Sequence, residues 1–240
     1  MKFIAVLLIP LTSFAGIFFI SGSDYSSRSS GLRNSDFAVN SYNYCSITNP
    51  SFLAEQKEIY FTSSYYNYFK DINSGSITLF IPNALISLPF AMTISSISYG
   101  VFEDLESGNE YHPYELMFVL SSGYKLRNIL TGINLKYVYS SISPDYTSSG
   151  VIADFAGSYE FNKISFAAGL FNLGVQIDDY SGKQENIDAY FKSGAGYRLS
   201  KLPLRIMIQN DLYFNGKTRT AAGIEINAKK HLIVRAGYEF

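Results

Sequence analysis

The residues in this 240-residue chain whose types could do chemistry are two histidines, one cysteine and a few acidic clusters. His112 stands in Asn109-Glu110-Tyr111-His112-Pro113, with Glu103, Asp104 and Glu106 close by in sequence. A histidine among carboxylates could hold a metal or pass a proton. No second histidine lies near it and Pro113 marks a turn, so the expectation is a solvated loop. His231 follows Lys229-Lys230 and reads as a turn residue, and two lysines are a weak signal for anionic lipid. A Ser–His–acid hydrolase needs a serine and an acid placed around a histidine, and the chain offers no Gly-x-Ser-x-Gly setting. Asp178-Asp179, Glu185 and Asp188 carry the oxygen ligands calcium prefers, but without calcium-loop spacing, so a hydrated loop is expected. Cys45, being alone, can form neither an internal disulfide nor a thiolate metal site, and reads as a small buried hydrophobe. The expectation is a protein that is not an enzyme, with no cofactor and no metal.

The elements that carry the remaining charges say more. From about residue 115 onward, charged and apolar residues alternate. Leu232, Val234, Ala236, Tyr238 and Phe240 interleave with Arg235, Gly237 and Glu239; Thr220, Ala222, Ile224 and Ile226 interleave with Arg219, Glu225 and Asn227. Successive side chains of a strand point to opposite faces, so each strand has one apolar face and one face bearing both signs of charge. On the charged face fall Lys125, Lys136, Asp154, Glu160, Lys192, Arg198, Arg205, Asp211, Arg219, Glu225, Arg235 and Glu239. The opposite face holds residues such as Phe118, Leu120, Leu135, Tyr137, Val151, Phe155, Phe166, Ile206 and Ile208. A soluble sandwich puts such charges outside, whereas a membrane barrel turns the apolar face to lipid and the polar face to its interior. Mixed inward charges suit cross-strand ion pairs filling a narrow lumen; a charge-selective pore would want one dominant sign.

The N-terminus separates these alternatives. Met1–Ile20 carries a single charge, Lys2, then the apolar run Phe3-Ile-Ala-Val-Leu-Leu-Ile-Pro-Leu11, and small residues follow at Ser21-Gly22-Ser23. This reads as an export signal over residues 1–23, cut after Ala15 or after Ser23. Pro10, Thr12, Ser13 and Gly16 interrupt the run, which disfavours a membrane anchor. Residues 24–56 read as an irregular or helical segment, and 57–240 as the barrel. With 20 Tyr, 19 Phe and no Trp, aromatic girdles are well supplied, and a net charge of −1 gives no electrostatic case for nucleic acid. An exported chain rich in alternating strands reads as an outer-membrane barrel, because closed barrels satisfy backbone hydrogen bonds in lipid without helices. The partner expected first is outer-membrane lipid.

Strands are expected near 58–70, 75–82, 89–103, 114–125, 129–142, 149–161, 164–174, 187–199, 204–214, 218–228 and 231–240. The fold class is all-β: an antiparallel transmembrane barrel of about 10–14 strands, 11–12 of them visible, with a short N-terminal plug. Connections near 126–128, 162–163, 200–203 and 229–230 are short, while those near 104–113, 143–148 and 175–186 are longer and polar. Short periplasmic turns and long external loops alternate in this way. That orientation sends the last strand outward and leaves Phe240 outside, although barrels normally return both ends to the periplasm. Further strands after Phe240 are the expectation that resolves this.

Asn49-Pro50-Ser51-Phe52-Leu53-Ala54, followed by a strand from Glu58-Ile59, resembles the Asn-Pro-Ala-x-Leu-Ala element of PorV/PorQ-type outer-membrane proteins, part of the wider FadL-like barrel group. Gly132-Ile-Asn-Leu-Lys-Tyr-Val-Tyr-Ser-Ser141 with Ser149-Gly150-Val151, Ala168-Gly-Leu-Phe-Asn-Leu-Gly174 and Leu232-Ile-Val-Arg-Ala-Gly-Tyr238 also resemble that family, so the likeness spans about residues 36–240. The family's Gly-Ala-Arg-Ala-Ala-Gly-Met-Gly opening is reduced here to Gly31-Leu-Arg-Asn-Ser-Asp-Phe-Ala-Val39, and its Asp-Ala-Ser stretch is replaced by Asn40-Ser41-Tyr42. The resemblance implies that Asn49, Pro50, Leu53 and Ala54 belong to a plug in the barrel mouth. It also implies a secretion-associated or structural surface role, with secretion-system or cargo proteins as partners. The alternative it carries is a channel for hydrophobic small molecules, with 41–56 as a hatch.

Overall fold

The computed structural model describes residues 18–23, 26–40, 45–85, 88–103, 108, 110–180, 182, 186–229 and 232–240. Thirteen strands follow the N-terminal segment: β1 (Tyr60–Phe69), β2 (Ile72–Leu85), β3 (Leu88–Ser98), β4 (Phe102–Glu103), β5 (Glu110–Tyr111), β6 (Tyr114–Leu126), β7 (Ile129–Ser143), β8 (Tyr146–Phe161), β9 (Ile164–Asp178), β10 (Tyr190–Arg198), β11 (Leu204–Tyr213), β12 (Thr218–Lys229) and β13 (Leu232–Glu239). Eleven of them form one antiparallel sheet, in the order β1-β2-β3-β6-β7-β8-β9-β10-β11-β12-β13, and β4 pairs with β5 separately. Each strand of the large sheet pairs with the next one along the chain that belongs to that sheet; β3 and β6 do so across the separate β4–β5 hairpin.

The expected strands all have counterparts here, with different ends. The third stops at Ser98 rather than 103, because Phe102 and Glu103 pair with Tyr111 and Glu110 in a hairpin of their own. The connection expected at 143–148 shrinks to a tight turn, since the β7–β8 ladder continues through Ser141↔Thr147 to Ser143↔Tyr146. Serine is at home on either face of a sheet, so the alternation fades from the sequence there while the backbone ladder runs on. The ladder also extends β9 to Asp178.

Among the described residues no ladder joins β1 to β13, so the sheet is not closed and these two strands are its edges. Antiparallel neighbours alternate in direction, so the first and eleventh strands of the sheet run the same way. The sheet is nevertheless curled: Tyr68 near the end of β1 and Glu239 at the end of β13 line one cavity together with Tyr190 and Tyr213.

One face of the sheet is apolar and bare. Phe118, Leu120, Leu135, Tyr137, Val151, Phe155, Phe166, Leu170, Ile206, Ile208 and Leu212 are all exposed. The opposite, concave face is covered by the chain that precedes β1: a 3-10 turn (Phe19–Gly22), α1 (Ser27–Gly31), α2 (Cys45–Thr48) and a second 3-10 turn (Pro50–Glu55). Each is too short to stand alone; packing holds them. Phe18, Ile20 and Ile47 cluster with Ile97, Met117, Val119, Val138 and Ile152. Phe37 and Ala38 pack with Ala156, Ala167, Phe171 and Tyr190, and Leu53 packs with Phe80 and Ala91.

Glycines pair across the sheet beneath this segment. Gly123 stands opposite Gly132, and Gly223 opposite Gly237. A Cβ on Gly132 would lie 2.3 Å from the Pro50 carbonyl carbon, and one on Gly237 would lie 2.2 Å from the Leu32 carbonyl carbon. Two side-chain-free shelves therefore let the plug backbone lie flat on the ladder. Gly132→Val is expected to cost about 1–3 kcal/mol or more by overpacking. Gly157→Ala, whose Cβ meets its nearest atom at 3.7 Å, should stay within about 0.5 kcal/mol. Thermal unfolding midpoints of the two variants against the parent check this; equal midpoints would show that the shelf carries no packing load.

Candidate functional site

The chemistry of the fold is concentrated where the N-terminal segment meets the charged face. Three polar knots lie along it, each tying strands to one another or to the plug.

The first centres on Asp154. Its Oδ2 is 2.7 Å from Lys136 Nζ, with both side chains sealed from solvent. Asn134, its direct cross-strand partner, donates to the same oxygen at 3.0 Å. The β8–β9 register slips at this point, and Asn172, with φ 56, donates its backbone N–H to Asp154 Oδ1 at 2.9 Å. Asn172 Oδ1 in turn accepts from Lys136 Nζ at 3.2 Å, and Asn134 Nδ2 donates to the Ile47 carbonyl of the plug at 3.1 Å. A bulge thus turns an asparagine inward to complete an ion pair.

The second knot centres on Glu225. The register sets Arg198, Arg205, Glu225 and Arg235 in one row across β10 to β13. Arg235 Nε donates to Glu225 Oε2 at 2.8 Å, and Arg205 Nη1 lies 3.5 Å from Oε1. From α1, Arg28 reaches into the row: its Nε donates to Glu225 Oε2 at 3.0 Å and its Nη1 to Asp36 Oδ2 at 2.5 Å. Arg28 and Glu225 are both buried, so the plug and the sheet neutralise each other's charge out of water.

The third knot lies toward the end of the sheet that bears the longer connections. Lys192, Asp211 and Arg219 form a second row. Arg219 bridges Asp211 at 3.3 Å and Glu239 at 3.1 Å, and it donates to the Arg33 carbonyl at 3.1 Å. Lys192 sits among rings instead, its Nζ 4.7 Å from the Phe171 centroid, 5.3 Å from Phe37 and 5.5 Å from Tyr190. Such contact with ring faces stabilises a desolvated ammonium. Above this knot opens a cavity of about 280 Å³, lined by Phe18, Phe19, Ser21, Arg33, Asn34, Tyr68, Asn172, Asp188, Tyr190, Tyr213, Arg219 and Glu239 among others.

The charges read from alternation occupy different depths of this face. Lys136, Asp154, Lys192, Asp211 and Glu225 are buried, and Arg205, Arg219 and Arg235 are half-buried. Glu160 and Arg198 stand exposed at the short-turn rim, 3.9 Å apart, and Lys125 pairs there with Glu55 at 3.0 Å. Of the plug residues, Asn49 caps the second 3-10 turn by accepting from Ser51 N–H at 3.1 Å. It also donates to the Phe37 carbonyl at 2.8 Å and to Ser158 Oγ at 3.0 Å. Pro50 opens the turn, Leu53 is fully buried, and Ala54 packs at the rim of the Phe52–Leu130 contact. Pro50 lies against the Gly132 shelf and Ala54 against Gly123.

The described residues that were weighed for catalysis or metals make separate contacts. His112 is exposed between β5 and β6. Asp178 accepts from Ser149 Oγ at 2.9 Å, and Asp188 accepts from Asn215 at 3.0 Å. Among the described residues no three His, Cys, Asp or Glu side chains converge. Asp104, Glu106, Glu185, Lys230 and His231, and the side chains of Cys45 and Lys229, lie outside what is described.

Several functional partners escaped the sequence reading. Arg28 and Asp36 sit in a stretch that reads as irregular, and their main partner, Glu225, is far along the chain. Glu115 was missed although its signal was local: it alternates with Leu116 and Phe118 just as Lys125 alternates with Tyr124. It is buried, and accepts from Tyr99 Oη at 3.0 Å. Burial, and then the Glu115 carboxylate, push the Tyr99 phenol well above its ordinary pKa.

No family model matches the sequence, and no curated protein matches it either. Asp154→Leu should cost about 3–5 kcal/mol, because the sealed Lys136 ammonium loses its counter-charge. Lys136→Met combined with Asp154→Leu should recover a large part of that loss, since the apolar pair leaves no charge stranded. Denaturant midpoints of the two variants check this, and a double variant no better than the single would show that the pair is not coupled.

Proposed function

We propose that this chain is a non-enzymatic outer-membrane β-barrel protein of PorV/PorQ type, with a secretion-associated or structural surface role. The observation that carries the reading is the inversion of polarity across the sheet. Large apolar side chains stand bare on the convex face, while lysine, arginine and carboxylate pairs are sealed on the concave one. Water would reward the opposite arrangement; hydrocarbon rewards this one. Lipid then covers Phe118, Leu135, Phe155 and Ile208, and the N-terminal segment fills what would otherwise be a lumen. The apolar start of the sequence supplies the export signal such a location requires.

Lipid imposes a further demand. The free edges of β1 and β13 carry unpaired backbone groups that hydrocarbon cannot satisfy. Because both edges run the same way, a direct β1–β13 ladder would be parallel, and an odd number of additional strands would keep the barrel antiparallel throughout.

With its interior occupied by Arg28, Phe37, Asn49 and Leu53, the barrel offers no wide path for solutes. Its work is then done at its ends and outer wall, on secretion-system or cargo proteins. The second reading, a channel for hydrophobic small molecules, draws on the aromatic lining of the mouth cavity at Phe18, Tyr68, Tyr190 and Tyr213. The expected result is that the mature protein needs detergent to stay monodisperse, sediments with the outer membrane, and gives no sustained single-channel current in planar bilayers. Monodispersity in plain buffer would end the membrane reading. Saturable uptake of an apolar solute into vesicles carrying the protein would favour the channel instead.

A further inference from the structure

The sequence offers two places to cut the export signal, after Ala15 and after Ser23, each with small residues at the last and third-last positions: Ser13 and Ala15, or Ser21 and Ser23. Sequence rules do not choose between them. Packing does, because Phe18–Ser23 is built into the fold.

Phe18 is 2% exposed and Ile20 fully buried, in one cluster with Met117, Val138 and Ile152. The wall is shaped to receive them. Gly150 stands where a Cβ would lie 2.7 Å from Cε2 of the Phe18 ring, so β8 leaves its side chain out at the contact. The Ile20 N–H donates to the buried Glu115 Oε2 at 2.7 Å, so a carboxylate on the sheet is met by a backbone group of this segment. Ser21 Oγ accepts from Asn172 Nδ2 at 3.3 Å, which joins the segment to the Lys136–Asp154 knot. A discarded leader has no reason to fit a groove, a carboxylate and an amide of the mature wall at once.

We infer that Phe18–Ser23 belongs to the mature protein and that a signal-peptidase-class endopeptidase cuts the chain between Ala15 and Gly16. Hydrolysis adds one water across that amide, leaving a carboxylate on the released Met1–Ala15 peptide and an α-ammonium on Gly16. The h-region is then Phe3–Leu11, and the mature chain begins two residues before the phenylalanine that anchors it. The segment acts as an inner strap. It closes the concave face at the end carrying the longer connections and forms one wall of the mouth cavity. This inference rests on the reading of the chain as exported.

The test is N-terminal sequencing and intact mass of the full chain, expressed with its own leader and recovered from the envelope fraction. The expected start is Gly16. A start at Asp24 overturns the inference while leaving export intact; a cytoplasmic chain starting at Met1 overturns export and the inference with it. Thermal unfolding of the purified protein provides a second readout. Phe18→Ala and Ile20→Ala should each lower the midpoint by several degrees while leaving the Gly16 start unchanged. A mature protein indifferent to both substitutions overturns the strap, because residues removed before folding cannot affect stability.

Discussion

Charge that must be hidden from solvent is the constraint on which this structure turns. The concave face carries carboxylates, lysines and arginines that cannot be left unpaired once covered. Glu225 shows how the requirement is met. Strand register alone gives it Arg235 and Arg205, and the N-terminal segment adds Arg28, itself shared with Asp36. The plug lies where the sheet forgoes side chains, at Gly123, Gly132, Gly223 and Gly237. Buried ion pairs at Arg28 and apolar clusters around Ile20, Phe37 and Leu53 together fix its five- and six-residue helical turns in one place, since such turns have no stability of their own.

This order of dependence explains what could be read from sequence. Strand positions and faces were legible because alternation is a local signal: Lys136, Asp154 and Glu225 each sit between apolar neighbours, and Lys192 and Asp211 each have one. Asn49-Pro50 was singled out by resemblance alone, although a capping asparagine followed by proline is itself a local signal for the turn that the structure shows there. Arg28 and Asp36 were not legible, because their role depends on a glutamate brought near only by the completed sheet. Glycines had a readable meaning that a strand-by-strand pass overlooks. A lone glycine on an inner face weakens a strand, whereas two placed opposite each other mark a surface on which another backbone rests. The stretch 143–148 was illegible for the opposite reason: the ladder runs on to Ser143↔Tyr146, but the serines around it suit either face.

The three knots also differ in what they hold together. Asp154 joins strands to strands, using the Asn172 bulge to bring an extra amide inward. Glu225 joins a helix to the sheet. Arg219 joins β11, β12 and β13 to the Arg33 carbonyl; its partner Asp211 is buried, whereas Glu239 is partly exposed beneath the mouth cavity. Deep pairs are insulated from salt, while those near the mouth are screened by it. The sealed part of the interior is therefore the part that fixes the fold, and the screened part is the part free to respond to surroundings.

A sheet whose first and last strands run the same way cannot close by the pairing used everywhere else in it. Its curl nonetheless brings Tyr68 and Glu239 to one cavity. In water, solvent pairs the free N–H and C=O groups of such a seam, though it stays open to other chains; hydrocarbon leaves them unpaired. The polarity of the two faces and the state of the edges thus make separate demands. On the proposal that lipid covers the bare convex face, the seam would have to be met there as well. A strand doing so would run against β1 and β13 alike, the direction that the rest of the sheet has selected.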